Sequence, residues 1–192
     1  MLRVDDPRRR ELEGEGWTVS ARSWGARLAA DRVDRQLLAA LAGRGAALGT
    51  VRELHDDDAA AILELDAATA SDYPGGIATS HTPLSVAQVV LTGRRRAFGV
   101  LGLGEKLLAM TFVDLDGALA EIDFTVVAAP WRGRGLATAV KAASVLALLV
   151  DGVRVVRTGG DADNEAIIRA NAALGFVVDE QWVTLTAPMR GG

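Results

Sequence analysis

The sequence predicts an α+β domain: helices first, then an antiparallel meander, then an alternating β-α-β-α-β series. Three observations predict it. β-branched runs joined by Gly-Glu and Asp-Gly turns occupy residues 97–128. A long apolar helix-forming run over 134–149 follows directly on the last of them. A shorter helical stretch at 164–173 then sits between further strand-like segments. The 192 residues, 49% of them hydrophobic, suffice for one domain with a real core and an appendage.

Taken in order, residues 1–48 form the appendage, arginine-rich and irregular. They hold an apolar stretch around 17–28 and a helical pattern at 31–41, with Asp31 as N-cap and Gly43 as stop. The main domain spans 49–188. It opens with a short strand at 50–54 and a helix at 56–68, whose aspartates Asp56, Asp57 and Asp58 suit its positive N-terminal end. The loop Ser-Asp-Tyr-Pro-Gly-Gly carries two turn signals. Thr82 as N-cap and Pro83 at the first helical position open a second helix through Leu91. Strands are expected at 97–103, 107–115 and 118–128. A helix follows to about 149, stopping at Asp151-Gly152, and then a strand at 153–157. The helix at 164–173 ends at Gly175, and 176–186 offers two more short strands.

The two ends of the chain resemble each other. Gly16-Trp17 through Trp24 and Gly175-Phe176 through Trp182 each follow a charged or alanine-rich segment with a glycine-aromatic pair and end in tryptophan. The match is short enough for chance. If it reflects duplication, residues 1–28 are the tail of an upstream copy of the same domain.

Composition removes several functional classes. A net charge of −4 argues against a broad nucleic-acid footprint. The absence of cysteine excludes disulfides, thiolate metal sites and cysteine nucleophiles. With His55 and His81 the only histidines, a histidine-built metal site is not expected. The first residues lack an apolar segment of leader type, and the longest apolar run, 142–150, is far shorter than the roughly 20 residues a bilayer requires. A cytoplasmic protein without membrane contact is expected. Basic charge is almost wholly arginine, Lys106 and Lys141 being the only lysines.

The segment over 125–143 carries the most chemistry. A β-branched strand ends at Val127, a tight turn follows, and a helix begins near Arg134. The first turn of a helix leaves backbone N–H groups unpaired beneath a partial positive charge. Gly133 and Gly135 remove side chains that would hold an anion away, and Arg132 and Arg134 add charge. This is a pyrophosphate cradle in form. A Walker loop needs Gly-Lys-Ser/Thr, which is missing. A Rossmann turn needs a third glycine where Thr138 stands, and an early βαβ position. A plain glycine-rich turn is the remaining alternative.

Arg132-Gly-Arg-Gly135-Leu-Ala137 resembles Arg/Gln-x-x-Gly-x-Gly/Ala, the acetyl-CoA signature of the GNAT acyltransferases. Asn164 followed by a helix ending Leu174-Gly175-Phe176 is similar to the family's second motif, at matching spacing. The resemblance covers 49–188 and implies a mixed, splayed sheet with helices on both faces. It further implies that backbone amides of Arg132, Gly133, Arg134, Gly135, Leu136 and Ala137 bind the pyrophosphate of acetyl-CoA, the acyl donor. The exposed edge of Thr125, Val126 and Val127 would pair with the pantetheine arm, with an N–H near Val127 facing the thioester oxygen. Asn164 would contact the arm or fix the helix.

Attack by an amine on a thioester requires the amine neutral, so a base or water path must take a proton. Period two puts Glu121, Asp123, Thr125 and Val127 on one strand face and Ile122, Phe124 and Val126 on the core face. Ala120-Glu121-Ile122-x-Phe124 also resembles the strand that bears the base in the histone-acetyltransferase branch. Glu121 is therefore the first candidate base and Asp123 the second. Ordinary carboxylates on a solvated face, or a bulge that shifts the parity, are the alternatives. Where many members of the family carry a tyrosine that protonates sulfur, this chain has Asn171, whose amide can bond to sulfur but cannot act as the acid. Tyr73, the sole tyrosine, borders the acceptor pocket in this fold and is the other candidate acid, or packs its own turn. Asp72, Glu121 and Asp123 would favour a cationic small-molecule amine as acceptor. His81 and Arg94 to Arg96 read as loop and solvated strand end, and Trp131 as a lid on adenine or packing at the sheet end. Three other readings stand: a silent acyl-CoA sensor, an acetyltransferase acting on protein lysines or N-termini, and a purely structural domain. Exposed strands at both ends are compatible with a homodimer.

Overall fold

The computed structural model describes residues 1–72 and 82–188. One eight-stranded sheet runs through it. In chain order the elements are β1 (Leu2–Arg3), α1 (Arg8–Gly14), β2 (Thr18–Ala29), α2 (Arg35–Ala46), β3 (Thr50–Glu53) and α3 (Ala59–Thr69). They continue with β4 (Arg95–Leu101), β5 (Leu107–Asp116), β6 (Leu119–Val127), α4 (Leu136–Val150), β7 (Val155–Asp161), α5 (Glu165–Ala173) and β8 (Val177–Thr186). The strand order is β1-β8-β2-β7-β6-β5-β4-β3. Among the described residues, only β6 and β7 pair in parallel.

Helices cover both faces. Leu38 and Leu41 of α2, Val140, Val145 and Leu148 of α4, and Ile122 and Val156 of the sheet share one core. Ile62 and Leu65 of α3 pack with Phe112, Phe124 and Val126 in a second core on the opposite face. The antiparallel meander β4-β5-β6 and the helix-rich order match the α+β expectation.

The N-terminal region departs from expectation. Residues 1–48 do not stand outside the sheet: β2, with no element foreseen at its position, lies between β7 and β8. Trp24 fixes it there, 6% exposed, its indole N–H donating to the Asp161 carbonyl at 3.0 Å. Gly160 makes room for that ring, since a Cβ there would lie 3.2 Å from it. The following helix starts three residues later than foreseen, because Asp34 rather than Asp31 caps it, accepting from the Leu37 amide at 2.9 Å. It runs through Gly43 to Ala46 because Gly45 lets α2 lie against α4; a Cβ at Gly45 would sit 2.9 Å from that of Ala139.

The second helix expected from Thr82 is a single 3-10 turn at Val86–Val89, opened by a Ser85–Gln88 capping box. The run at 176–186 is one strand, not two.

Residues 16–24 and 175–182 share local geometry as well as sequence. Gly16 and Gly175 both adopt left-handed φ, +88° and +90°. The amides of Trp17 and Phe176 then reach back to the carbonyls of Leu12 and Asn171, at 3.0 and 3.1 Å. This is the Schellman closure of a helix by glycine. The strands that follow pair reciprocally, Ser23 with Trp182 and Trp24 with Gln181. β8 lies between β1 and β2 just as β2 lies between β7 and β8.

Trp24→Ala removes the ring that seats β2 beside β7, and is expected to cost about 3–5 kcal/mol in urea denaturation, the range for a buried aromatic truncated to alanine.

Candidate active site

The site begins where two strands part. β6 and β7 pair from Leu119↔Val155 to Ile122↔Thr158 and no further. On the other edge of β6, Phe112 faces Phe124 and Val113 faces Ile122, which leaves Asp123 as a bulged residue. A bulge bends its strand and redirects the residues beyond it. Here it falls immediately after the last rung with β7, so residues 123–127 diverge and a cleft opens between the strands.

The bulge also overturns the expected common face. Ala120 and Ile122 enter the core under α4, whereas Phe124 and Val126 enter the core under α3. Glu121 therefore lies on the opposite side of the sheet from Thr125 and Val127. It is exposed, on the rung with Arg157. Asp123 is held by Arg95 at 2.9 Å, and the same guanidinium binds Asp114. Neither carboxylate lines the cleft.

The cleft holds about 620 Å³ and is lined by the edge of β6, the turn after it and the N-terminal ends of α4 and α5. Ala128 donates its amide to Leu108 on β5. Because successive strand amides alternate in direction, those of Val127 and Thr125 point to the cleft. At the turn, Gly133 and Gly135 take left-handed φ of +73° and +80°. Gly135 is the N-cap of α4, and no side chain accepts from the helix's first amides. A Cβ at either glycine would meet nothing within 4 Å, so open space lies over those amides. Uncapped amides, the helix's positive end and open space fit a pyrophosphate.

The arginines behave differently from expectation. The Arg132 guanidinium turns back to the Val127 carbonyl at 3.1 Å and to Asp72, so it bridges the mouth of the cleft instead of standing over the turn. Arg134 stacks on Trp131, 5.0 Å from its centroid, and Trp131 itself lines the cleft. Asn164 caps α5, accepting from the Ile167 amide at 3.2 Å, and also lines the cleft. Tyr73 and His81 lie outside the described residues.

Asn171 is 2% exposed and not on the cleft surface. Its Oδ1 accepts from the Lys141 amine at 2.7 Å, and that amine also lies 3.4 Å from the Thr158 hydroxyl. Lys141 is 1% exposed, and burial brings its amine down to about 7. The Asn171 Nδ2 is buried with no hydrogen-bond partner among the described residues. Sequence reasoning misses this cluster. The available signal is a lysine inside an otherwise apolar helix, between Val140 and Ala142. Among the described residues no group of side chains could hold a metal ion, and no helix is long and apolar enough to cross a membrane.

No protein-family model matches the chain, and no curated protein matches it. Solved structures do. A GCN5-related N-acetyltransferase from Sphaerobacter thermophilus is 15% identical with a TM-score of 0.69, over 96% of this chain and 57% of that one. A tandem GNAT protein from the clavulanic acid biosynthesis pathway is 26% identical with a TM-score of 0.65, over 95% of this chain and 58% of that one. The ribosomal-protein-S18-alanine N-acetyltransferase of Escherichia coli is 17% identical with a TM-score of 0.56, over 74% of this chain and 95% of that one. The chain thus spans somewhat over half the length of the first two. It has the fold of the GNAT acetyltransferases.

The buried lysine has a measurable signature. Its folded pKa of about 7 lies below the ~10.4 of an unfolded lysine, so the unfolded chain binds the extra proton between those values. Wild-type stability contributed by this residue is therefore lowest below pH 7 and recovers as pH rises towards 10. Lys141→Met lacks that slope. Chemical denaturation of both proteins at pH 6, 8 and 9.5 is expected to show the stability difference moving steadily in favour of wild type, whatever its constant offset.

Proposed function

We propose that this chain is an acetyl-CoA-dependent N-acyltransferase, moving an acetyl or related short acyl group to a primary amine by direct attack in the cytoplasm. The single observation that carries this reading is the uncapped N-terminus of α4 placed beside a strand edge freed by the β6–β7 splay. The fold likeness supports the same class.

In this reading the amides of Leu136, Ala137 and neighbouring turn residues bind the pyrophosphate. The Thr125 and Val127 edge aligns the pantetheine arm through backbone pairing. The donor supplies the acyl group as a thioester. The Val127 N–H, pointing into the cleft, stabilises negative charge developing on the thioester oxygen, a role worth several kcal/mol where donors are preorganised. Asn164 holds the first turn of α5 against the arm. Arg132 closes the mouth through the Val127 carbonyl and Asp72, and must shift if that carbonyl is to pair with a ligand.

A small-molecule amine is the proposed acceptor. The E. coli neighbour is named for acetylating an alanine of a ribosomal protein, so a protein acceptor is the competing substrate class. The position of Glu121 and Asp123 away from the cleft favours a second reading, an acyl-CoA-binding module without turnover.

Isothermal titration of acetyl-CoA tests the donor site. Gly135→Ala measures the strain of a side chain at φ +80°, expected to be of order 1 kcal/mol, and Gly135→Glu adds a carboxylate over the anion site. Saturable binding to wild type, weakened in the alanine variant and lost in the glutamate variant, is the expected result. A folded wild type that binds no acetyl-CoA overturns the reading. Thiol release on screening small amines and lysine peptides then separates the acceptor classes from the silent module, without background from a cysteine-free protein.

A further inference from the structure

Three elements meet where β6 and β7 part, and the side chains they bring there are buried and do not themselves line the cleft. α4 lines the cleft with Ala137 and Thr138, and one turn further on it carries Lys141. α5 lines it with Ile167 and Ala170, and its next inward residue is Asn171. On β7, Thr158 is the last residue to pair with β6 before the strands part. Asn171 and Thr158 each meet the Lys141 Nζ.

The cluster is unusual as core packing. A buried amine normally has a carboxylate partner, and an unpaired ammonium in an apolar helix is costly. Here α5 contributes a neutral amide, β7 a neutral hydroxyl, and the helix itself only Ser144, whose hydroxyl donates to the Lys141 carbonyl. Among the described residues no charged group offsets the burial of the amine. Asn171 spends its oxygen on Lys141 and leaves its Nδ2 donor unmatched. The cluster therefore offers only donors that remain to be satisfied, an ammonium and an amide, at the apex of the splay. That arrangement suits an atom that becomes negatively charged.

We propose that Lys141, with Asn171 and Thr158, forms the sulfur end of the acyl-CoA cleft and that the Lys141 ammonium donates the proton taken up by the departing CoA sulfur. This deepens the acyltransferase reading and rests on it. As the amine nitrogen forms its bond to the acyl carbon, the C–S bond breaks and its electron pair stays on sulfur. One N–H proton of Lys141 passes to sulfur, giving the free thiol and a neutral lysine. The attacking nitrogen loses a proton to solvent, and Lys141 regains one from solvent before the next turnover. Burial suits the task, because an amine near 7 gives up a proton more readily than an exposed lysine and is still substantially charged at neutral pH.

The test needs no turnover. The chain has only Lys106 and Lys141, so selective isotope labelling of lysine gives two side-chain NMR signals, with exposed Lys106 as internal reference. The Lys141 signal is titrated in the free protein, with CoA, and with desulfo-CoA, which lacks the sulfur. In parallel the thiol of bound CoA is titrated by thiolate absorbance, again free of cysteine background.

The expected result is a Lys141 midpoint raised by CoA and not by desulfo-CoA. The bound thiol should ionise about one unit or more below the ordinary range measured for free CoA alongside it, as a cation within a few ångströms requires. Lys141→Met should bind CoA and return the thiol to that ordinary range. If both ligands bind and leave Lys141 alike, or the bound thiol is unshifted in wild type, Lys141 is a core residue and the inference is overturned while the acyltransferase reading stands. If neither ligand binds, the acyltransferase reading itself falls. The two wild-type titrations decide the matter even if Lys141→Met does not fold.

Discussion

The whole site depends on β6 and β7 ceasing to pair after Ile122 and Thr158. Parallel strands continue side by side unless something forces them apart, and an unpaired backbone edge is costly where water is excluded. Asp123 supplies the force: one surplus residue against β5 bends β6 at the first position past the last rung. Arg95 secures the bulge by binding Asp123 and Asp114 together, so the bend is anchored to the meander. The result is a strand edge with free amides at Thr125 and Val127, directed at the end of a helix whose own first amides are free. Two sets of unsatisfied donors thus face one cleft, and neither set needs a special side chain.

Support for that cleft comes from an unexpected part of the chain. α5 forms the wall opposite β6 and β7 leads into it; past Thr158 the only strand neighbour of β7 among the described residues is β2, held through Trp24, Gly159 and Gly160. Without β2, that end of β7 would be a bare edge on both sides. The reciprocal placement of β2 and β8, with matching glycine closures before each, gives the two ends of the chain equivalent roles in the same half of the sheet. α2 adds to the same face by packing closely on α4 at Gly45. The boundary anticipated near residue 48 therefore falls within a continuous sheet and core.

The features that the sequence displays are the local ones. The turn holding Gly133 and Gly135 is legible because its conformation is set by a few neighbouring residues. The same holds for α5, bounded by Asn164 and Gly175. The bulge is not legible, because it exists only in the register between β5 and β6, and a strict period of two sends Glu121 and Asp123 to a face that they do not share with Thr125. β2 is hidden for a similar reason: its partners Gly160 and Gln181 lie at the far end of the chain. Lys141 is visible as a lone charge among Val140, Ala142 and Val145, yet only the packing of three elements shows that Asn171 and Thr158 meet it. Asp34 in place of Asp31 shows a smaller failure: both aspartates suit a cap, but Asp31 lies within a separate 3-10 turn, Ala30–Arg32, that gives way to extended backbone at Val33.

The placement of β2 also has a consequence for how the molecule is made. Trp24 and its acceptor Asp161 are 137 positions apart, so β2 leaves the ribosome long before either of its neighbours exists. Its closure is a contact of high sequence separation, the kind that slows folding. During synthesis it is a two-sided strand with every backbone group unanswered, and must remain solvated while the meander and α4 assemble. The turn before α4 is complete as soon as that helix forms, but β2 finds its place only when β7 and β8 have emerged. Such a chain spends its vulnerable interval with one strand searching, and chaperone dependence or exchange of that strand between neighbouring nascent chains would enter there.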